Sequence, residues 1–466
     1  MTGELDTFPK LMRRNYEKWG DKKVAMRRKD WGIWLKYDWK VYYENVKYFC
    51  GGLLSLGLKR GDRITIQGEN DPEYYWAELA VNSVGGAVVG VFSDCLPEEL
   101  KYYVLDSGST FVVSEDMEQT DKALLIRDEI TPRVKKVIYW DPKGMYRYRD
   151  DTWVMNFYDV VELGKKYEEE HPGFFEQLID ETKADDLAAL CYTSGTTGLP
   201  KGVMMSHKML LGLADAVAII NPMEPDWQYL SYIPPAWLTE QFLGIGTCLL
   251  TGVVVNFPEK PETVQQNIRE VGAQVLFYGA RLWEDVSRTI QAKVADTTKA
   301  KKLLYNLALP VGYKVADMRL AKERPSIFWR ALHSLVDLAV FRPLRDQMGL
   351  MKVKVAYMAG AWFGPACIKL LHAFGVPLKV IYGTSECTNC IHWDADINPE
   401  TAAPPTPGAE VRISQEGEIQ LKAPYMFSGY WGKEELYQNS MENGFFCTKD
   451  AGYINEDGHV IFLDRM

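Results

Sequence analysis

Residues 187–202 read LAALCYTSGTTGLPKG, and these residues predict both the fold class and the site of the chain. The apolar run 187–192 is typical of a buried strand, and an apolar helical pattern begins at Met209. Glycine lets backbone N–H groups approach phosphate oxygens, while hydroxyls and a lysine add donors and positive charge. We therefore predict a polyphosphate-binding loop between a strand and a helix. Its candidate contacts are Thr193, Ser194, Gly195, Thr196, Thr197, Gly198 and Lys201.

This loop is not the common P-loop, because Lys201 is followed by Gly202 where that motif needs Ser or Thr. A Gly/Ser/Thr loop can also be only a flexible turn. Over ten residues, however, the string 193–202 resembles the phosphate-binding signature of the adenylate-forming enzymes. That family contains acyl-CoA synthetases, luciferases and the adenylation domains of peptide synthetases.

Length and composition describe an ordinary soluble protein of more than one core. The chain has 466 residues, 47% apolar and 25% charged. The formal net charge of −10 argues against nucleic acid as the main partner. The N-terminus is polar and charged rather than signal-like, and the eight cysteines suggest free thiols in a reducing cytoplasm. Cys387 and Cys390 form a single CxxC, for which coincidence, metal binding and redox chemistry remain open.

Strand and helix signals alternate along most of the chain. Residues 63–67 alternate like a strand, and Asp71 can cap a helix with Pro72 at its first position. Strands separated by helices of this length predict parallel βαβ units and doubly wound sheets. From about residue 405, short alternating runs between Gly, Asn and Asp turns predict an antiparallel, barrel-like unit.

The predicted fold class is therefore α/β, with two doubly wound α/β subdomains and a small antiparallel β-barrel-like subdomain. We predict the first subdomain over 1–186 and the second over 187–380, with a helical insertion at about 285–349. The nucleotide loop and the barrel-like subdomain are expected over 381–466.

A second nucleotide motif is Tyr382–Glu386, YGTSE, which follows a predicted strand. Alone it could be a β-turn. Its chemistry suits a nucleotide, because an aromatic ring can stack on a base and a carboxylate is a hard ligand for Mg²⁺. The resemblance implies that Tyr382 lies against the adenine and that Gly383 also belongs to the ATP/AMP-binding residues. It further implies that Thr384 contacts a phosphate and that Glu386 holds magnesium together with Thr196.

Four further residues are assigned to the nucleotide by the same resemblance. Gly360 and Ala361 match a small-residue turn against the adenine, although Trp362 and Phe363 depart from the family pattern. Asp450 matches the carboxylate that binds the ribose hydroxyls, and Arg465 matches an arginine that reaches ribose and phosphate. Lys449 stands where the family normally has Gly.

The acid is expected to bind near residues 232–241, YIPPAWLTEQ, which resemble a loop of long-chain acyl-CoA synthetases. Trp237 replaces a common His, and it is either a wall of the acyl pocket or simply core packing. No Asp occurs between Tyr232 and Thr239, which argues against an amino-acid substrate. The acyl-pocket candidates are Trp237, Thr239 and Tyr278.

The resemblance implies an ATP- and Mg²⁺-dependent ligase that makes an acyl-adenylate, releases pyrophosphate and transfers the acyl group to coenzyme A. Bringing one anion to another requires charge neutralisation and alignment more than acid–base catalysis. The candidate catalytic residues are Thr196, Lys201, Thr384 and Glu386. The expected acid is a fatty acid. A medium-chain or aromatic acid, a luciferase-like oxygenase and an inactive nucleotide-binding module remain alternatives.

Two features concern the rest of the molecule. Family members continue beyond the residue matching Arg465 into a C-terminal lid domain, so we expect that domain to be missing and turnover to be impaired. Residues 292–345 carry 11 Lys/Arg and four Asp/Glu, a local balance of 11 − 4 = +7. This segment is either a solvated basic face or a peripheral contact with the inner face of a membrane. A homodimer is a further open expectation.

Overall fold

The computed structural model describes residues 5–193, 198–361, 364–394 and 396–466. Its strands form three sheets, of seven, eight and five strands. The two larger sheets are mainly parallel and the smallest is antiparallel, so the predicted α/β class with a small antiparallel subdomain is confirmed.

The seven-stranded sheet carries the glycine-rich hairpin at one edge. Its strands, in spatial order, are Val154–Asn156, Lys136–Tyr139, Phe111–Ser114, Arg63–Gln67, Ala87–Val91, Leu187–Thr193 and Lys201–Ser206. All neighbours are parallel except the last two strands, which pair antiparallel with Thr193 opposite Lys201. This edge therefore fixes Lys201 at the start of a strand.

The sequence predicts a loop between a strand and a helix, and the structure adds a second strand between the loop and that helix. The strand Lys201–Ser206 lies between the loop and the helix His207–Ile220, because 201–206 folds back on the preceding strand. The helix begins where Ser206 provides a cap, its hydroxyl accepting a hydrogen bond from Met209 N at 3.2 Å. The loop is thus the tip of a β-hairpin.

The eight-stranded sheet has a parallel centre and one antiparallel strand at each edge. Its strands, in spatial order, are Thr388–Ile391, Leu378–Gly383, Val355–Ala359, Val275–Gly279, Gln228–Leu230, Val254–Phe257, Val24–Asp30 and Ile33–Asp38. The strands of 24–38 thus join the later sheet, while those of 187–206 join the earlier one. The sheets interleave in sequence and do not divide at residue 186; the domain limits themselves stay predictions.

The third sheet is formed near the C-terminal end of the chain. Its strands are Glu410–Ile413, Glu418–Lys422, Met441–Glu442, Phe445–Ile454 and Val460–Arg465. Phe445–Ile454 is the longest of them and pairs with three neighbours. Register shifts along this strand place Asp450 directly opposite Arg465.

Helices cover the sheets and form the insertion. Those of the first half are Phe8–Trp19, Trp39–Ser55, Pro72–Ser83, Pro97–Ser107, Met117–Leu125, Arg127–Ile130, Phe157–Glu170, Phe174–Glu181 and His207–Ile220. Those of the second half are Glu240–Thr247, Cys248–Thr251, Val264–Val271, Ala280–Ala295, Lys299–Leu320, Ile327–Val336, Asp337–Phe341, Arg342–Gln347, Pro365–Ala373 and Glu434–Asn439. The segment between the strands 275–279 and 355–359 is helical, as the sequence predicts. No helix in the described ranges is long and apolar enough to cross a membrane.

The helix Pro72–Ser83 forms where the sequence predicts it, but Asp71 does not cap it through its side chain. The Asp71 carboxylate instead lies 3.0 Å from Arg28 Nε and accepts a hydrogen bond from Trp140 Nε1 at 3.0 Å. A tertiary ion pair thus replaces the local cap, and Pro72 alone marks the helix start.

Candidate active site

The strand Lys201–Ser206 is covered on its outer side by the backbone of residues 428–431. Three hydrogen bonds join them, from Met204 N to Gly429 O, from Ser428 N to Met204 O, and from Trp431 N to Gly202 O, at 3.0, 3.0 and 2.8 Å. An isolated bridge also pairs Val203 with Tyr430. Backbone pairing therefore fixes Tyr430 beside the base of the glycine-rich hairpin.

Lys201, Tyr430 and Glu386 form a compact polar cluster. Lys201 Nζ lies 3.1 Å from Glu386 Oε1 and donates a hydrogen bond to the Tyr430 hydroxyl at 2.7 Å. The Tyr430 hydroxyl in turn donates to Glu386 Oε1 at 2.8 Å. Burial, and secondly the charge of Glu386, raise the pKa of Tyr430, so its phenol stays protonated and can donate.

The structure thus brings together two predicted residues that are 185 positions apart in sequence, Lys201 and Glu386. Sequence reasoning missed Tyr430, which joins them. The only sequence signal was the local string Ser428–Trp431, SGYW, whose meaning depends on the backbone pairing with strand 201–206.

The turn that presents Glu386 begins at the end of the strand Leu378–Gly383. Thr384 Oγ1 accepts hydrogen bonds from Glu386 N and Cys387 N at 3.3 and 3.4 Å, which fixes the turn and leaves the hydroxyl proton available to a ligand oxygen. A Cβ on Gly383 would lie 2.3 Å from Thr388 Cα, so only glycine fits this approach.

Tyr382, Asp450 and Arg465 meet at the contact between the eight-stranded sheet and the small sheet. The Tyr382 hydroxyl donates to Asp450 Oδ2 at 2.8 Å, and Arg465 Nε lies 3.1 Å from Asp450 Oδ1. Burial raises the pKa of Asp450, while the Tyr382 hydrogen bond and the Arg465 charge oppose this shift. Oδ1 is buried and has no well-aligned donor among the described residues, so it can still accept from a ligand hydroxyl.

The small residues Gly360 and Ala361 follow the strand Val355–Ala359, and their assignment to the adenine stays a prediction. Gly360 has a φ of +90°, and a Cβ there would meet nothing within 4 Å. The glycine is therefore explained by its backbone conformation and leaves free space in front of the turn. Ala361 is exposed, and Trp362 and Phe363 lie outside the described residues.

The tip of the hairpin is only partly described. Ser194, Gly195, Thr196 and Thr197 lie outside the described residues, so their assignments as phosphate or metal contacts stay predictions. At its two ends, Thr193 pairs with Lys201 in the strand ladder, and Gly198 has a φ of +127° that favours glycine.

The acyl-pocket candidates separate into two environments. Trp237 is 49% exposed and meets Phe92 edge-to-face at 6.4 Å, so core packing does not account for it. Thr239 is half-buried just before the helix Glu240–Thr247. Tyr278 is 2% exposed and packs against Trp283 at 4.7 Å, within the core of the eight-stranded sheet.

A buried carboxylate beside this loop was not anticipated. Glu240 is fully buried and accepts hydrogen bonds from the hydroxyls of Tyr75, Ser231 and Tyr229 at 2.5, 2.6 and 2.6 Å. Burial raises the pKa of Glu240 to about 7, although these hydrogen bonds oppose the shift. Because it is enclosed, Glu240 stabilises the loop rather than facing a substrate ammonium.

Six of the eight cysteines and His207 are buried. All eight cysteines are free, as predicted, and burial raises the pKa of the Cys387 thiol to about 12. His207 is fully buried, accepts a hydrogen bond from Phe8 N at 3.4 Å, and burial lowers its pKa to about 3. Within the described part of the chain, no three His, Cys, Asp or Glu side chains cluster as metal ligands.

The residues around Glu386 fit a hard divalent cation held jointly with phosphates. Mg²⁺ is commonly bound through one or two carboxylates plus substrate phosphates rather than by a protein cage. Glu386 supplies such a carboxylate next to the phosphate-loop lysine. The donor chemistry therefore suits magnesium, and Lys201 would neutralise phosphate charge at the same place.

The AMP-binding enzyme family matches residues 12–431. The chain belongs to this family. The match covers the hairpin, the Tyr382–Glu386 turn and the segment that carries Tyr430, so the predicted resemblance to adenylate-forming enzymes is confirmed.

Relatives among characterised members of the AMP-binding family are named long-chain-fatty-acid–CoA ligases. The chain is 26% identical over 477 residues to ACSBG2 of Xenopus laevis, a match that covers 99% of this chain and 63% of that relative. It is 25% identical over 467 residues to ACSBG1 of Rattus norvegicus, covering 95% and 62%. The chain thus spans less than two thirds of the length of these relatives.

Solved structures support the same fold. The anthranilate CoA ligase AuaEII in complex with anthranoyl-AMP superposes with a TM-score of 0.73 at 16% identity, covering 98% of this chain and 78% of that one. Apo MatB from Rhodopseudomonas palustris gives 0.68 at 20% identity, covering 98% and 79%. These similarities confirm the architecture predicted for the large domain of adenylate-forming enzymes.

Proposed function

We propose that this chain forms the ATP- and acid-binding part of an AMP-forming fatty acid:CoA ligase. The observation that carries this proposal is the pairing of two clusters on one turn. Tyr382 at its start meets Asp450 at 2.8 Å, and Glu386 at its end meets Lys201 at 3.1 Å. We place a nucleoside group at the first cluster and the phosphates at the second, because the turn Tyr382–Glu386 carries one residue of each cluster.

The chemistry of the proposed reaction follows from charge. A substrate carboxylate is the nucleophile, so the protein must bring it to a polyphosphate against electrostatic repulsion. Lys201 supplies positive charge at the base of the hairpin, and the Thr384 hydroxyl is available to a phosphate oxygen. Magnesium bound at Glu386 would supply further positive charge when present. Tyr382, Asp450 and Arg465 would orient the nucleoside.

The proposed acid is a fatty acid, and coenzyme A is the proposed acceptor. The names of the relatives favour this acid, and Trp237, within the loop 232–241, offers a half-exposed apolar ring. The carboxylate closest in sequence, Glu240, is buried and saturated with hydroxyl donors, so it offers nothing to an amino-acid ammonium. A medium-chain or aromatic acid is the second candidate. Trapping of the adenylate with acids of different length distinguishes it from a fatty acid.

Trapping of the acyl-adenylate tests this function. The chain is incubated with Mg²⁺-ATP and acids from benzoate to long-chain fatty acids, and the adenylate is detected by mass spectrometry together with released pyrophosphate. We expect the adenylate to increase with chain length. An optimum at benzoate-sized acids would replace the fatty acid by the second candidate, whereas ATP binding with no adenylate for any acid would indicate an inactive nucleotide-binding module.

Peripheral contact with a membrane is a further part of the proposal. The helix Ile327–Val336 exposes Phe328 and Leu335, seven residues apart on one helical face, by 67% and 66%. Around them lies the segment 292–345 with its excess of Lys and Arg. Apolar side chains flanked by basic ones suit an anionic lipid surface, from which a fatty acid would enter.

A homodimer also stays a proposal, tested by light scattering.

A further inference from the structure

The two opposite charges of the proposed phosphate site lie against each other and neutralise each other. Lys201 Nζ lies 3.1 Å from Glu386 Oε1, and the Tyr430 hydroxyl bridges them by accepting from the lysine and donating to the carboxylate. The side chains of Glu386 and Lys201 are 8% and 22% exposed, so water replaces neither partner easily. The lysine that should attract phosphate is therefore already paired.

Nucleotide binding has to change this pairing. If Lys201 turned to a phosphate while no cation was present, Glu386 would stay buried as an uncompensated carboxylate next to a polyanion. Leaving one partner of a buried ion pair unpaired is strongly unfavourable. A divalent cation removes the penalty because it neutralises Glu386 as Lys201 leaves.

We propose that Lys201, Tyr430 and Glu386 form an ion-pair latch that makes the binding of ATP and of a divalent cation mutually dependent. The latch rests on the nucleotide site of the proposed function and adds a regulation to it. Glu386 has two opposing effects in this scheme: it strengthens nucleotide binding with the cation and weakens it without the cation. Such coupling must be reciprocal, so ATP also raises the affinity for the cation.

Tyr430 is the positioning residue of the latch. Its hydroxyl contacts both charged groups, and the backbone pairing with strand 201–206 prevents it from following either of them. Its ring also lies 4.0 Å from Lys201 Nζ, which adds a cation–π contact. The hydroxyl thus stabilises the paired state specifically.

Calorimetric titration with ATP, in EDTA and in excess Mg²⁺, tests the latch by binding alone. For the unaltered chain we expect much tighter binding in Mg²⁺. For Glu386→Gln we expect binding in Mg²⁺ to weaken but binding in EDTA to tighten by about threefold to tenfold, since Lys201 is released and the repulsion is removed. Tyr430→Phe is expected to change the ratio of the two affinities in the same direction, by a smaller factor.

The matched control is Glu270→Gln. Glu270, on the helix Val264–Val271, also pairs with a buried lysine at 2.6 Å. This partner, Lys29, lies on the strand Val24–Asp30 near the end of the eight-stranded sheet that is opposite to the strand Leu378–Gly383. This variant should leave both ATP affinities unchanged. Circular dichroism and the thermal midpoint of each variant show whether it is folded before titration.

The outcomes separate the latch from the function on which it rests. Unchanged or weaker binding of metal-free ATP by folded Glu386→Gln overturns the latch, even if the unaltered chain binds Mg²⁺-ATP and makes an adenylate. An unchanged affinity ratio in Tyr430→Phe removes the positioning role of Tyr430. If the unaltered folded chain binds ATP under neither condition, the proposed function fails and the latch fails with it.

Discussion

At the scale of single residues, Lys449 has a backbone conformation that favours glycine. The resemblance places glycine at this position, and Lys449 has a φ of +62° in the left-handed region. A Cβ in this region costs roughly 1 kcal/mol. The Lys449 side chain offsets little of this cost. Its ammonium lies 3.8 Å from Glu418, and an ion pair of a side chain that is 71% exposed adds little stability.

We therefore predict that Lys449→Gly raises the free energy of unfolding by about 0.5–1 kcal/mol. Thermal and urea denaturation followed by circular dichroism measure this change. Lys449→Ala is the matched control, because it removes the ammonium but keeps the Cβ. Equal gains in the two variants would show that charge, and not backbone strain, is responsible.

A second residue-scale prediction concerns Glu78, which is fully buried and accepts a hydrogen bond from Gln241 at 3.1 Å. Burial raises the pKa of Glu78 from 4.5 to about 8. The folded chain therefore keeps a proton that the unfolded chain loses, so this group's stabilisation is complete below about pH 4.5 and is lost as the pH rises through about 8.

Glu78→Gln cannot ionise, and we expect it to reduce the loss of stability between pH 5 and pH 8.5. Urea titrations at several pH values provide the measurement. The control is Glu162→Gln on the surface, where the carboxylate is 64% exposed and pairs with Lys165. A pH profile for Glu78→Gln that parallels the unaltered chain would contradict the prediction.

The proposed nucleoside contact of Asp450 gives a third prediction at the same scale. Asp450→Asn keeps the shape of the side chain but removes the charge that Arg465 and Tyr382 surround. We expect affinity for a non-hydrolysable acyl-adenylate analogue to fall about tenfold, which is the loss of one charge-assisted hydrogen bond. Calorimetry measures this affinity. Asp464→Asn, at an exposed neighbour, should bind like the unaltered chain.

The sequence indicates residues that satisfy a requirement of their own turn. It does not reveal residues whose contacts come from distant segments of the chain. Gly383 and Gly360 could be read from their turns, since each satisfies a requirement of its own backbone. Tyr430 could not, because its partners come from two other segments of the chain. Asp71 was assigned a cap from its neighbours, but a more distant arginine holds it.

At the scale of elements, the helix Ile327–Val336 carries a testable surface. We expect the chain to sediment with phosphatidylcholine vesicles that contain phosphatidylglycerol, and less with phosphatidylcholine alone, because of the basic flank. Leu335→Glu should reduce this binding about tenfold, since it removes an apolar contact and adds repulsion.

The control for this surface is Leu125→Glu. Leu125 is 74% exposed, similar to Leu335, but it ends the helix Met117–Leu125 outside the basic segment. It should bind vesicles like the unaltered chain. Equal losses in both variants would assign the effect to general charge, and no binding by the unaltered chain would leave the segment as a solvated basic face.

The elements themselves were predictable where the pattern was long. The strands Arg63–Gln67 and Leu187–Thr193 and the helix Pro72–Ser83 appear close to their expected positions. The strand Lys201–Ser206 was missed, because it exists through pairing with the preceding strand and with residues 428–431. A hairpin whose two strands flank a glycine-rich tip, and which is followed by a helix, resembles a strand–loop–helix unit when only sequence is considered.

At the scale of the whole molecule, the fold class followed from the alternation of strands and helices, but the assignment of strands to sheets did not. The strand Val24–Asp30 pairs in parallel with Val254–Phe257, and Leu187–Thr193 pairs in parallel with Ala87–Val91. Both pairings cross the sequence limit at residue 186. No local pattern specifies which of several apolar parallel strands becomes a neighbour.

This interleaving has a consequence for biosynthesis. Met26 aligns with Val255, so the strand that contains Met26 leaves the ribosome long before its parallel neighbour is translated. Until then it pairs only with the hairpin strand Ile33–Asp38, and a two-stranded hairpin alone is barely stable in water. The first strands of the nascent polypeptide must therefore stay soluble while more than two hundred further codons are translated. We expect production of this protein to require early contact of a chaperone with residues 24–38.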